Sequence, residues 1–216
     1  IMEAHSLLER IVCHQLLNIS FDSDLGICKG RMGCVLFLYH YSRKMNNKVF
    51  AQMSDELLEE LCENITVDIN WYFSNGLAGI GWGIEYLAWN KFIEGDTNEI
   101  LYDIDKKIME YDVCRMVDTT FEKGVEGLFW YLLSRLISQY KMGQPFDSVY
   151  LNNIRDVCAN MKKISENQSV YLLNRFFEGK EIVYPYLDLL YRIIDSPKAE
   201  SSGDDLTWQN GLRQLL

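Results

Sequence analysis

The sequence predicts an all-α chain of repeated helical hairpins, and three observations carry that prediction. Glycine pairs recur at one spacing, the segment after each pair is apolar on every face, and the 216 residues hold three prolines. Proline removes a helix donor and clashes with the preceding turn, so its scarcity leaves long helices uninterrupted. The pairs are Gly30 with Gly33, Gly76 with Gly79, and Gly124 with Gly127. Their repeat of about 47 residues falls in the range of helical-repeat proteins.

Each element follows in order. Glu3 to Leu17 reads as an amphipathic helix, and the first glycine pair then opens the apolar helix CVLFLYHYS. Met53 to Ile65 is the next half-wet helix, with Ser54 as its cap and Leu57, Leu58 and Leu61 as its stripe. The second pair opens IGWGIEYLAW, Glu99 to Tyr111 forms the third outer helix, and the third pair opens LFWYLLSRLI. Ser148 to Ile164 is the fourth outer helix, and Tyr184 to Ile194 supplies an inner helix without paired glycines. Trp208-Gln209-Asn210-Gly211-Leu212 then echoes Asn75-Gly76-Leu77. A helix with no polar face is buried on every side, so each unit pairs an outer helix with an inner one.

Residues i and i+3 share a helix face, and two missing side chains let another backbone approach closely. Glycine costs a helix about 1 kcal/mol against alanine, so its recurrence in one register implies a shared geometric need. Gly81 extends the second smooth face. At a helix start the glycines also leave the first N–H groups within reach of a ligand or of the neighbouring loop. Such hairpins stack as an open solenoid or close into an α/α toroid. Wholly apolar inner helices favour the toroid, with residues 1–216 as a single domain.

Charge and cysteine usage narrow the function. A formal charge of −10 with scattered lysines and arginines excludes nucleic acid, which needs clustered cations, and favours a basic peptide or protein partner. The six cysteines, Cys13, Cys28, Cys34, Cys62, Cys114 and Cys158, form no close pairs and read as free thiols. The longest apolar run, Gly127 to Ile137, is broken by Ser134 and Arg135, so no membrane span is expected. No secretory signal pattern opens the chain, which points to the cytoplasm, and its Ile1-Met2 start suits a processed or trimmed product.

The segment GLAGIGWGIEYL, Gly76 to Leu87, resembles the repeat motif of lanthionine synthetase C-like proteins. GRMGCVLFLYHYSR, from Gly30 to Arg43, is similar to a first repeat of short members. FEKGVEGLFWYLLSR, from Phe121 to Arg135, is similar to the following repeat, and WQNGLRQLL, from Trp208, to the opening of a last one. The resemblance implies an α/α toroid. It also implies a zinc ion held by two cysteines and a histidine, in Trp-Cys-Tyr-Gly and Cys-His-Gly contexts at the repeat turns. That zinc activates a peptide thiol for addition to a dehydrated serine or threonine. This sequence contains neither Cys-His-Gly nor Trp-Cys, and its residues before the first glycines are Lys29, Asn75 and Lys123. The expectation is therefore no catalytic residue, no metal and no cofactor.

Lys29, Arg31, Asn75, Lys123 and Glu126 are the candidates for contact with a ribosomally made peptide, all at the glycine-turn end of the fold. Other chemistries remain open beside that one. Cys13-His14 with Cys28 and Cys34 has the donors of a zinc site, although neighbours on a helix point about 100° apart. The alternative is a buried Cys13 with His14 at the surface. His5 and His40 complete the histidines. Lys29 and Arg31 beside Cys28 and Cys34 could lower a thiol pKa, against a core role for Cys34. Glu85 and Glu126 are acids on inner helices, read either as a glycosidase-like pair or as structural ion pairs. Trp82 and Trp130 read as core or as ligand platforms. The competing classes are a metal-independent enzyme, whether thiol cyclase or carbohydrate-active barrel, and a solenoid adaptor without catalysis.

Overall fold

The computed structural model describes residues 6–65, 69–138, 142–161, 167–196 and 206–216. Every regular element within them is helical. In chain order these are α1 (Leu7–Asn18), α2 (Arg31–Met45), α3 (Lys48–Glu63), α4 (Leu77–Trp89), α5 (Thr97–Ile100) and α6 (Tyr102–Met109). There follow α7 (Val125–Ile137), α8 (Ser148–Met161), α9 (Gln168–Phe177), α10 (Tyr186–Ile194) and α11 (Trp208–Arg213). No helix of the described residues is long and apolar enough to cross a membrane. The chain divides into two compact units, Ile1–Ile69 with Tyr186–Leu216, and Asn70–Pro185.

In the first unit α1 begins at a capping box, Ser6 and Glu9 each accepting the other's backbone N–H. The expected start at Glu3, and His5, lie outside the described residues. Helix α2 is buried from Met32 to Tyr39, as an apolar inner helix should be. The chain reverses at Asn46, whose left-handed φ of 48° asparagine tolerates well. Asn47 then caps α3 through the Val49 N–H. Ser54 is therefore not the cap that the sequence suggested. It is buried inside α3, and its hydroxyl donates to the Phe50 carbonyl at 2.7 Å, the back-bonding open to a mid-helix serine.

Helix α11 packs on α1, α2 and α10. Its contact with α2 is reciprocal. A Cβ on Gly33 of α2 would stand 2.3 Å from the Trp208 ring, and one on Gly211 of α11 would stand 2.5 Å from the Phe37 ring. Each glycine thus makes room for the other helix's aromatic. Gly211 lies inside α11, behind the Thr207 cap, so the echo of Asn75-Gly76-Leu77 is one of sequence and not of conformation.

His40, on α2, is held neutral. Burial and the nearby Arg43 guanidinium lower its pKa to about 4, against 6.5 for an unperturbed imidazole. As pH falls the unfolded chain takes up this proton first, so stability is lost below pH 6.5 and levels off near 4. His40→Gln should remove a loss of about 2 kcal/mol between pH 7.5 and 5, read as the difference in urea midpoints between the two proteins.

In the second unit α4 and α7 are the inner pair, buried from Leu77 to Ala88 and from Gly127 to Leu136. They pack closely where Gly81 faces Tyr131, whose ring a Cβ there would meet at 2.4 Å. Trp82 and Trp130 are core residues. The Trp82 indole donates to the Tyr184 hydroxyl at 2.8 Å, and that hydroxyl donates to the Trp130 carbonyl at 2.7 Å. The third outer helix is two helices, broken at Leu101. Helix α9 has no counterpart among the sequence expectations. It is capped by Asn167 and packs against both α7 and α8.

Candidate functional site

The three glycine turns share one construction. Six residues before each first glycine stands an Asp or Asn, and three before it a buried apolar residue: Asp24 and Ile27, Asn70 and Phe73, Asp118 and Phe121. The side-chain oxygen of each Asp or Asn accepts a backbone N–H two residues on, from Gly26, Tyr72 and Thr120. Its carbonyl accepts the first helical N–H, from Arg31 at 2.8 Å, Leu77 at 2.9 Å and Val125 at 2.9 Å. The loop thus takes the orphan donor that a bare helix start would leave. The first glycines are backbone-extended, so they are needed for space, not for φ. A Cβ would stand 2.1 Å from the Asp24 carbonyl oxygen at Gly30, 2.3 Å from that of Asn70 at Gly76, and 2.6 Å from that of Asp118 at Gly124.

In the first unit this turn forms one wall of a cavity of about 410 Å³, a volume within the range of small-ligand sites. The end of α1 supplies His14, Gln15 and Asn18, and the following turn supplies Ile19, Phe21 and Asp22. Lys29, Arg31 and Cys34 come from the glycine turn and α2, and Trp208, Gln209 and Arg213 from α11. Two amide bonds seat α11 here: the Gln209 side chain donates to the Cys28 carbonyl at 2.6 Å, and that of Gln15 to the Leu206 carbonyl at 2.6 Å.

The expected site residues fall into two groups. Lys29 and Arg31 meet at this cavity. Lys29 is exposed, whereas the Arg31 guanidinium uses three of its five N–H groups within the protein, on the Asp22 carbonyl at 2.7 Å, the Ser20 carbonyl at 3.1 Å and Glu60 at 2.9 Å. Asn75, Lys123 and Glu126 lie in the second unit. There the second and third turns join through the Ser74 N–H, which donates to the Glu122 carbonyl at 2.9 Å. Asn75 and Lys123 are exposed, with the Lys123 ammonium 5.8 Å from the Tyr72 ring centre, and Glu126 is half-buried in the first turn of α7.

The two thiols that flank the first glycine turn, Cys28 and Cys34, are poorly placed for chemistry. Burial, and secondarily the Asp22 carboxylate, push the Cys34 thiol up to about 12, the opposite of nucleophile activation. Cys28 is buried, and Cys13, expected to be buried, is exposed together with His14. Among the described residues no three histidine, cysteine or acidic side chains gather as metal donors.

Glu85 is explained by Arg135. Both are wholly buried in the second unit, and all five guanidinium N–H groups are used. Nε and Nη2 donate to Asp105, Nη2 also to Asn98 at 2.7 Å, and Nη1 to Thr97 at 3.0 Å and to Glu85. Ser138 completes Glu85 at 2.8 Å and Tyr131 completes Asp105 at 2.5 Å. Burial raises the Glu85 carboxyl above its usual range while Arg135 draws it back down. Sequence reasoning placed Arg135 only as an interruption of an apolar run. A guanidinium inside such a run requires carboxylate partners, and Glu85 on the other inner helix was the visible candidate.

No curated protein matches this chain. The family model for lanthionine synthetase C-like protein matches residues 22–181, a span that contains all three glycine turns. The buried inner helices, each led by a glycine turn, are consistent with the α/α toroid that the motif resemblance implies. On that match, the chain belongs to the lanthionine synthetase C-like family.

Proposed function

We propose that this protein binds a ribosomally made peptide in the cytoplasm and assists its modification without zinc and without a catalytic residue of its own. The reading is carried by the cavity beside the first glycine turn, where side-chain amides, an exposed lysine and apolar side chains converge. Amides and apolar groups together suit a peptide, and the overall charge of −10 attracts one of basic balance. Lys29 and Arg31 contact the peptide at the cavity, and Asn75, Lys123 and Glu126 extend the contact surface in the second unit. Nucleic acid and membrane are not partners. The inert Cys34 thiol and the sealed Glu85 disfavour the thiol-cyclase and glycosidase readings.

Elemental analysis of protein purified without chelators tests the metal part, with no zinc expected. One equivalent, lost on changing Cys28 or Cys34 to Ser, would restore a cyclase-like reading. Calorimetry with a precursor peptide encoded beside this gene tests the peptide part. Lys29→Ala and Lys123→Ala should each weaken its binding while leaving stability within about 0.5 kcal/mol, since both lysines are exposed. A large loss of stability at either would mean a structural charge instead.

A further inference from the structure

The amides that line the first unit's cavity are oriented by the main chain. The Gln15 and Gln209 side chains donate to the Leu206 and Cys28 carbonyls at 2.6 Å, and that of Asn18 to the His14 carbonyl at 2.7 Å. A carbonyl only accepts, so the nitrogen of each amide is the end that meets it, and each amide oxygen is left over. Among the described residues no donor reaches those oxygens. Charge runs the same way. Arg31 pairs with Glu60, Arg213 with Asp195, and Lys29 is attracted to Asp24. Asp22, in the lining, makes no ion pair among the described residues, and the Asp24 N–H that its Oδ1 accepts at 2.9 Å leaves its charge in place. Lys29, Arg31 and Arg213 thus stand against Asp22, Asp24, Glu60 and Asp195, three positive charges against four negative. Beside Asp22, Phe21 is 86 % exposed, its ring open to a ligand.

We propose that the cavity seats an arginine side chain of the bound peptide, its guanidinium donating to the Asp22 carboxylate and the amide oxygens and lying against the Phe21 ring. This rests on the peptide-binding reading above and adds which residue is selected. A guanidinium is all donor, with five N–H groups in one plane, and it stacks on aromatic faces, so it answers the acceptors and the ring together. A lysine ammonium brings three donors at a single point and no flat face. A carboxylate would bring acceptors to acceptors and a like charge to Asp22. Lys29 and the two N–H groups that Arg31 does not use remain for the peptide's own carbonyls. The net charge of −10 draws the same basic peptide at long range.

The test is titration of the full-length, ¹⁵N-labelled chain with acetyl-Leu-Arg-amide and its citrulline, lysine and glutamate counterparts, followed by NMR shifts of the cavity amides. Citrulline keeps the flat group and its N–H donors but not the charge. At low salt the arginine probe should bind about two- to fivefold more tightly than the citrulline and lysine probes, and the glutamate probe most weakly. Asp22→Asn, which keeps the acceptor for the Asp24 N–H, should erase the arginine-over-citrulline preference and leave the citrulline probe unchanged. Phe21→Ser, at an exposed position, should weaken the arginine and citrulline probes alike. Equal binding of arginine and citrulline, tighter binding of glutamate, or a preference that survives Asp22→Asn overturns the arginine seat and leaves peptide binding standing. Failure of all four probes to bind overturns the seat as well, and the peptide reading falls with it only if the precursor peptide also fails to bind in calorimetry.

Discussion

Arg135→Met should destabilise the protein by about 3–5 kcal/mol, a large share of the 5–15 kcal/mol by which domains of this kind are stable. The side chain is wholly buried, and its removal strands Glu85 and Asp105 in the interior without a counter-charge. Methionine fills comparable space, so the loss measures uncompensated charge more than a cavity. Two further readouts separate those causes. In the variant the Glu85 carboxyl loses the guanidinium that lowers it and rises further, so the folded state takes up a proton more readily than the unfolded one. The deficit should therefore shrink as pH falls from 7.5 to 5. Adding Glu85→Gln and Asp105→Asn should recover much of it, since neutral amides cost far less to bury than lone carboxylates. A deficit that ignores both pH and the double rescue would make Arg135 a packing residue.

The inner helices were legible because two signals coincide there, glycine at the opening and no polar face afterwards. Arg31–Met45, Leu77–Trp89 and Val125–Ile137 begin where those glycines stand. The full turn is written in the sequence too, in DLGICKG, NWYFSNG and DTTFEKG, each with its Asp or Asn and its apolar anchor, but neither of those residue types is as rare in a helical chain as paired glycine. Helix α9 carries no glycine lead, and QSVYLLNRFF is a short ten-residue helix between the expected fourth outer and inner helices. The break at Leu101 has no proline or glycine to announce it. The cavity was half legible. Lys29 and Arg31 were placed by their turn, but no periodicity reports that Trp208, Gln209 and Arg213 come to rest beside them.

Gly127→Ala should cost about 3 kcal/mol, at the upper end of overpacking effects, although helix propensity alone predicts a gain of up to about 1 kcal/mol. The added methyl would lie 2.1 Å from the Phe121 carbonyl oxygen and 2.5 Å from the Phe73 Cβ. Neither neighbour yields cheaply, because the first is backbone and the second is the root of a buried side chain. Relief requires the loop 118–124 to lift from the start of α7, and that strains the bond from the Val125 N–H to the Asp118 carbonyl. Gly33 stands at the equivalent place in its own turn, and its added Cβ would meet the Ile27 carbonyl at 2.6 Å and the Trp208 ring at 2.3 Å. Gly33→Ala should therefore lose stability as well. Gly79 occupies the same register, six residues after Phe73, and is buried, so Gly79→Ala is expected to follow. The measurement is the urea midpoint of each variant against the parent chain. A neutral or stabilising result at Gly127 would show that the turn relaxes around a methyl, and the recurrent glycines would then need a reason other than close packing.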